Sequence, residues 1–167
     1  KSALKTATTV AAGVFIGTGS GEDIPAAQAI SGTVAVGYES MKGSGSTNAS
    51  AINNTAIGSE ALKAVTTGSN NVAVGQGALS TRTDGVKNTA IGAVALANNG
   101  GDENTAIGYA ALNIATAGSN VALGSSSGVR HTTGTSCIYI GHEAGDHCTD
   151  GHRNVAIGAA ALSANAD

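Results

Sequence analysis

All four histidines of the chain lie after residue 130, at His131, His142, His147 and His152. With Glu143, Asp146 and Asp150 they form its one dense cluster of titratable groups. The string His142-Glu143-Ala144-Gly145-Asp146-His147 superficially resembles a zinc-protease helix, whose metal needs two His at i and i+4 on one face. Here the spacing is five and a Gly interrupts it, so that chemistry is excluded. A softer metal reading survives for His142, His147 and His152, because a symmetry axis would multiply any inward-pointing imidazole. Solvated loop histidines are the simpler expectation. Cys137 and Cys148 are the two cysteines and fall within one repeat. An even count permits a disulfide in an oxidising setting. Closing that loop of about a dozen residues would contribute roughly 3 kcal/mol in the chain-entropy model, if the Cα atoms come within about 7 Å. Two free thiols are the alternative. Gly17-Thr18-Gly19-Ser20-Gly21 lacks the Lys and the helix of a phosphate loop, and no Ser/His/Asp set stands out among the many Ser. Neither a catalytic residue nor a cofactor is expected.

Elements that could position such groups must be built from unusual material. Of 167 residues, 25 are Gly and only four are aromatic, three Tyr and one Phe. A globular core leans on aromatic side chains that each bury about 150–250 Å², so a thick core is not expected. Charged residues make up 11%, with a net charge of −3. No basic patch could neutralise a run of phosphates, which argues against nucleic acid. No stretch reaches the roughly 18 apolar residues that span a bilayer. The opening KSALKTATTVAAGVFIG faintly resembles a signal peptide, although Gly13–Gly17 also fits the repeat below.

Self-similarity decides the architecture. The segment Asn54-Thr55-Ala56-Ile57-Gly58-Ser59-Glu60-Ala61-Leu62 recurs, anchored on Gly17, Gly37, Gly58, Gly75, Gly92, Gly108, Gly124, Gly141 and Gly158. The eight spacings are 20, 21, 17, 17, 16, 16, 17 and 17 residues. Three residues before each Gly sits a β-branched residue; then comes Ala, with Phe15 and Tyr139 as exceptions; then a large aliphatic such as Ile57. Three residues after the Gly sits Ser or Ala, followed by Met41, Leu62, Leu79, Leu96, Leu112 or Leu162, or by Gly21, Gly128 or Gly145.

A β-branched, Ala, β-branched run closed by Gly predicts a short strand and a tight turn. Ser59–Val65 and Tyr109–Ala115 have helix-forming compositions, but such short runs between Gly, Asn and Ser favour a second short strand instead. Stacked at about 4.8 Å, nine copies would make a rod of roughly 38 Å. Asn54, Asn71, Asn88, Asn104, Asn120 and Asn154 are expected to stack as a ladder. Ile and Leu are expected to form the interior seam. The Ala column would then make a small-residue strip facing outward, to be covered by other copies of the chain. Homotrimerisation about a three-fold axis is therefore expected.

NTAIGSEAL, NNVAVGQGAL, NTAIGAVAL, NTAIGYAAL and NVAIGAAAL resemble the repeats of trimeric autotransporter adhesin heads and related repeats of bacteriophage tail fibres. CIYIGHEAG (Cys137–Gly145) resembles a phage-fibre variant of the motif. The resemblance covers about residues 33–162 and implies a left-handed parallel β-roll, three chains side by side, serving attachment without enzymatic activity. The period of 16–17 residues exceeds that of adhesin heads, and no heptad stalk or membrane anchor is present in the sequence. Both departures favour the fibre over the adhesin.

The expected organisation is an irregular segment 1–32 with a possible first rung, a repeat domain 33–162 and a tail 163–167. Uncapped ends suggest a segment of a longer fibre. The fold class expected is all-β, a parallel β-solenoid of about nine rungs. The expected function is host attachment by a virion tail fibre, extracellular, with a host cell-surface glycan or protein as partner and no membrane insertion. A bacterial surface adhesin and an ice-binding solenoid are the alternatives; the second lacks a regular Thr-x-Thr array. A glycan hydrolase would need paired carboxylates in a cleft. Candidate contact residues are the uncommon charged and aromatic ones: Arg82, Asp84, Lys87, Asp102, Glu103, Tyr109, Arg130 and Tyr139.

Overall fold

A computed structural model describes residues 10–24, 30–44, 51–81, 84–98 and 101–163. Nine strands follow one another: β1 (Val10–Ile16), β2 (Ile30–Val36), β3 (Thr55–Ile57), β4 (Val72–Val74), β5 (Thr89–Ile91), β6 (Thr105–Ile107), β7 (Val121–Leu123), β8 (Ile138–Ile140) and β9 (Val155–Ile157). Each pairs in parallel with the next, in sequence order, within one sheet. The pairing keeps the repeat aligned, with Ile57 opposite Val74 and Ile140 opposite Ile157. No helix occurs among the described residues, and the nine strands form a parallel β-solenoid of about 8 turns. β1 with Gly17 supplies the first rung. Residues 1–9 and 164–167 lie outside the described residues.

Strand length follows from the Gly. Gly75 has φ +132°, which side-chain-bearing residues rarely adopt. A Cβ built there would stand 2.6 Å from the carbonyl carbon of Gly92 on the next rung. Successive Gly backbones therefore stack directly, and from β3 onward each strand stops after three residues.

The segment after the Gly is not the second strand expected. It is a run of turns closed by Ala61 N–H to Gly58 O (3.4 Å), Lys63 N–H to Glu60 O (3.3 Å) and Val65 N–H to Leu62 O (3.2 Å). Glu60 (φ 60°) and Leu62 (φ 49°) take left-handed backbone, as type II-like turns require of their third residue. Equivalent positions repeat this at Val94 and Leu96 and at Ala110 and Leu112. The run still donates from rung to rung: Leu62 N–H to Ala78 O, Leu79 N–H to Ala95 O and Leu96 N–H to Ala111 O. Rung-to-rung bonding compensates for backbone that costs of order 1 kcal/mol per left-handed non-Gly residue.

The two faces of the strands are the reverse of the expectation. Ala35, Ala56, Ala73, Ala90, Ala106 and Ala122 are fully buried inside the coil, with Leu62, Leu79, Leu96 and Leu112. Ile57, Ile91, Leu123 and Ile157 face outward. The reason is room. The coil interior must already hold the Leu column, the Ser/Ala column after the Gly and the Asn column. What remains opposite Leu accepts a methyl group, not a sec-butyl group. Period-2 alternation then sends both flanking aliphatics out.

Two rungs invert this division of volume. Tyr139 takes the Ala position of β8 and is fully buried. Its ring occupies space that Leu side chains fill elsewhere: a Cβ on Gly128 would lie 2.8 Å from Tyr139 Cδ2, and one on Gly145 would lie 2.7 Å from Tyr139 Cγ. Phe15 sits in the Ala position of β1, and Gly21 takes the Leu position of its rung.

The expected Asn ladder forms from Asn54 to Asn120 and ends on the Cys137 N–H, whereas the Asn154 amide donates to Cys148 Sγ at 3.3 Å. Asn54 Oδ1 accepts Asn71 N–H (2.9 Å), Asn71 Oδ1 accepts Asn88 N–H (2.8 Å) and Asn104 Oδ1 accepts Asn120 N–H (2.9 Å). The amide nitrogens cross the coil to loop carbonyls, Asn54 to Gly68 O at 2.8 Å and Asn71 to Gly85 O at 2.7 Å. Cys137 replaces one Asn, and its thiol donates to the matching carbonyl, Gly151 O, at 3.0 Å. Asn71→Ala would strand one buried N–H and one buried C=O, at about 1–3 kcal/mol each. A drop of roughly 4–10 °C in Tm is expected in thermal unfolding monitored by circular dichroism. An unchanged Tm would remove the ladder from the account.

Candidate binding surface

Two outward columns of every strand join into one continuous strip. Val14, Ile16, Ile57, Ile91, Val121, Leu123, Ile138, Val155 and Ile157 are all exposed, and Ile157 reaches 67%. Eight steps of about 4.8 Å give a length of roughly 38 Å, and the two columns stand about 7 Å apart. With side-chain width included, the strip covers on the order of 400 Å², the size of the largest apolar patch on a typical monomer, which is often functional. No charged residue occupies either column.

The predicted contact residues do not form one site. Tyr139 is buried and is withdrawn as a surface contact: its position is an interior one on β8, with no loop tip involved. Arg82 lies outside the described residues. Lys87 and Glu103 pair with each other across adjacent rungs at 2.9 Å, and Asp102 Oδ1 accepts the backbone N–H of Val86 at 3.0 Å. These contacts tie loops together. Asp84 is exposed on the same loop side. Arg130 reaches His147 and Asp146. Tyr109 is 60% exposed and directly follows Gly108, beside the aliphatic strip. Tyr38 occupies the equivalent position two residues after Val36 and is also exposed, at 54%.

A charge ladder over the first rungs escaped the sequence reading. Glu39 accepts from Lys63 (2.8 Å) and Lys42 (3.1 Å); Lys63 also reaches Glu60 at 2.9 Å, and Lys42 lies 3.7 Å from Asp23. The signal was present: Glu39/Lys42 and Glu60/Lys63 repeat one i,i+3 pair at matching rung positions. The two ammonium groups, Lys63 foremost, hold the Glu39 carboxyl at about 2, against an ordinary 4.5. Glu39 hydrogen bonding raises both lysines. A depressed native carboxylate contributes stability that is complete above 4.5 and lost as pH falls toward 2. Glu39→Gln is therefore expected to flatten the fall of Tm between pH 5 and pH 2; a parallel profile would refute the contribution.

The histidines are spread around the coil rather than gathered. His142 lies 3.7 Å from Glu143, His147 contacts Arg130 at 2.7 Å, and His152 contacts Thr135 at 3.0 Å. Among the described residues no group of three or more His, Cys, Asp or Glu could hold a metal ion, so the proposed set His142, His147 and His152 is not assembled within one chain. His131 is fully buried and makes an edge-on contact with Tyr139, ring centroids 5.3 Å apart. Cys137 and Cys148 are both buried free thiols. Burial first, and the two thiols next, push the Tyr139 phenol well above its ordinary range, so it remains protonated. A Thr column runs along the loop side, but its hydroxyls are engaged: Thr116 Oγ1 donates to Thr132 O (3.0 Å) and Thr132 Oγ1 to Thr149 O (2.8 Å).

Among the described residues no helix is long and apolar enough to cross a membrane. Comparison of the chain with protein-family models, curated proteins and solved structures produced no match.

Proposed function

We propose that this chain is a structural fibre segment that acts as a homotrimer and attaches a particle to a host cell surface. The observation that carries the reading is the uncharged strip, aliphatic except at Thr55, Thr89 and Thr105, running along the β-sheet from Val14 to Ile157. A rod of this thinness cannot cover that strip itself, and identical rods can cover one another's. Three copies about a common axis would bring all eighteen outward strand positions of each chain, fifteen of them aliphatic, into a shared core. The resemblance of NTAIGSEAL and its copies to tail-fibre repeats supports the count of three and the extracellular virion setting. No catalytic role is assigned to any residue.

Under this reading the trimer contributes stiffness, and exposed side chains beside the core strip, Tyr109 and Tyr38, contribute recognition of a surface glycan or protein. Exposed aromatic rings offer an apolar face with a polar tip. Binding of fluorescently labelled protein to a glycan array and to intact bacterial cells tests the reading. Retention on a defined subset, reduced at least several-fold by Tyr109→Ala with the Tm unchanged, is the expected result. Absence of binding to every glycan and every cell type would overturn attachment and leave a purely structural rod.

A further inference from the structure

We propose that rungs 7 and 8 form an acid-labile stretch of the coil, in which His147 and His152 act as inter-rung clasps that open on protonation. All four histidines belong to rungs 7 and 8, and no other rung carries one. Two of them must be neutral on a defined nitrogen for the observed contacts to exist. Arg130 Nη1 lies 2.7 Å from His147 Nε2. A guanidinium only donates, so Nε2 accepts and carries no proton. The backbone N–H of Thr135 donates to His152 Nδ1 at 3.2 Å, and Thr135 Oγ1 lies 3.0 Å from the same atom. A backbone N–H likewise only donates, so Nδ1 of His152 carries no proton either.

Both contacts join residues 17 positions apart, one full turn of the coil. Protonating His147 at Nε2 removes its acceptor and sets an imidazolium against the Arg130 guanidinium. Protonating His152 at Nδ1 removes the acceptor for Thr135 N–H. The charged groups around His147 are Arg130 from the rung before and Asp146 on its own rung, whose Oδ2 is 3.4 Å from His147 Nδ1. Asp146 already lies 3.8 Å from Arg130 and offsets one positive charge, not two. His152 is flanked in the chain by Asp150 and Arg153. The earlier rungs carry the Glu39–Lys63 ladder, which proton uptake by imidazole leaves intact. Imidazole is the side chain that titrates at mild acidity. Imidazole acceptors occur between rungs only here among the described residues, so loosening is confined to rungs 7 and 8.

Amide hydrogen exchange on the intact protein, corrected for the intrinsic rate at each pH, tests this between pH 7.5 and pH 5.5. The expected result is a tenfold or greater loss of protection at Thr135, Ile138 and Arg153, with Thr55, Val72 and Thr89 unchanged. His147→Gln with His152→Asn supplies acceptors that do not titrate, and this double variant is expected to abolish the pH dependence while keeping protection. Uniform loss along the rod, no loss in any rung, or the same local loss in the double variant would each overturn the proposal.

Discussion

Gly92→Val is expected to lower the Tm by roughly 8–20 °C, through a destabilisation of about 3–6 kcal/mol at one rung. Two effects add there. Gly92 has φ +133°, a backbone that a β-branched residue does not adopt without strain. A Cβ would also lie 2.6 Å from the carbonyl carbon of Gly108 and 3.2 Å from the amide nitrogen of Tyr109. Those neighbours are backbone, so no side-chain movement relieves the clash. Separation of rungs would break the Gly108 N–H to Ile91 O bond (2.8 Å) and the Ala110 N–H to Ala93 O bond (3.0 Å). Ser125→Ala is the matched control, since Ser125 is only partly buried and a surface change of this kind stays within about 0.5 kcal/mol. Thermal melts of both variants decide it. Equal melting temperatures would contradict the rung register.

The exchange of volume around Tyr139 yields the second large effect, and it is a coupling. Tyr139→Ala should cost about 3–5 kcal/mol, the usual range for emptying a buried aromatic position. Gly145→Leu should be at least as damaging, because the ring already fills the space its Cβ would enter. Together they should be far milder than their sum. Ala with Leu is the pairing found in rungs 3–6, and left-handed backbone at this position carries Leu62, Leu79, Leu96 and Leu112 without exception there. Urea unfolding of the wild type, both single variants and the double variant closes a mutant cycle. A favourable interaction energy of about 2 kcal/mol or more is expected, in the upper part of the range for residues in contact. Additive losses would show that Tyr139 and Gly145 do not share one volume.

Much of this fold was legible in the repeat. Gly at nearly constant spacing fixed the number of rungs, their parallel order and the in-register pairing of Val34 with Thr55 and of Ile57 with Val74. The Asn ladder followed from the same columns. The facing of the strands did not, because alternation alone cannot say which of two apolar faces is inside. Width decides that, and width is set by residues from the opposite side of the coil: Leu62, Ala61 and Asn54 already fill the interior around Ala56. The turn run Ser59–Leu62 was misread as a strand because left-handed backbone at Glu60 and Leu62 leaves no trace in residues so tolerant of other conformations. The Tyr139/Gly145 exchange was visible as two exceptions in two columns; a reading that treated columns separately could not join them.

The candidate site was harder to read. Charged loop residues such as Lys87 and Glu103 look available in sequence, yet they pair across rungs. Tyr139 looked like a contact residue and lies in the core. The aliphatic strip, by contrast, gives a firmer ground for self-association than the Ala strip it replaces, since large side chains gain more from leaving water than methyl groups do.

Solution mass by light scattering on the purified chain tests the central claim most directly. Three copies of a 16.0 kDa chain would give about 48 kDa, and that is the expected value. A value of 16.0 kDa at micromolar concentration would leave the strip from Val14 to Ile157 facing water and would contradict the trimeric fibre.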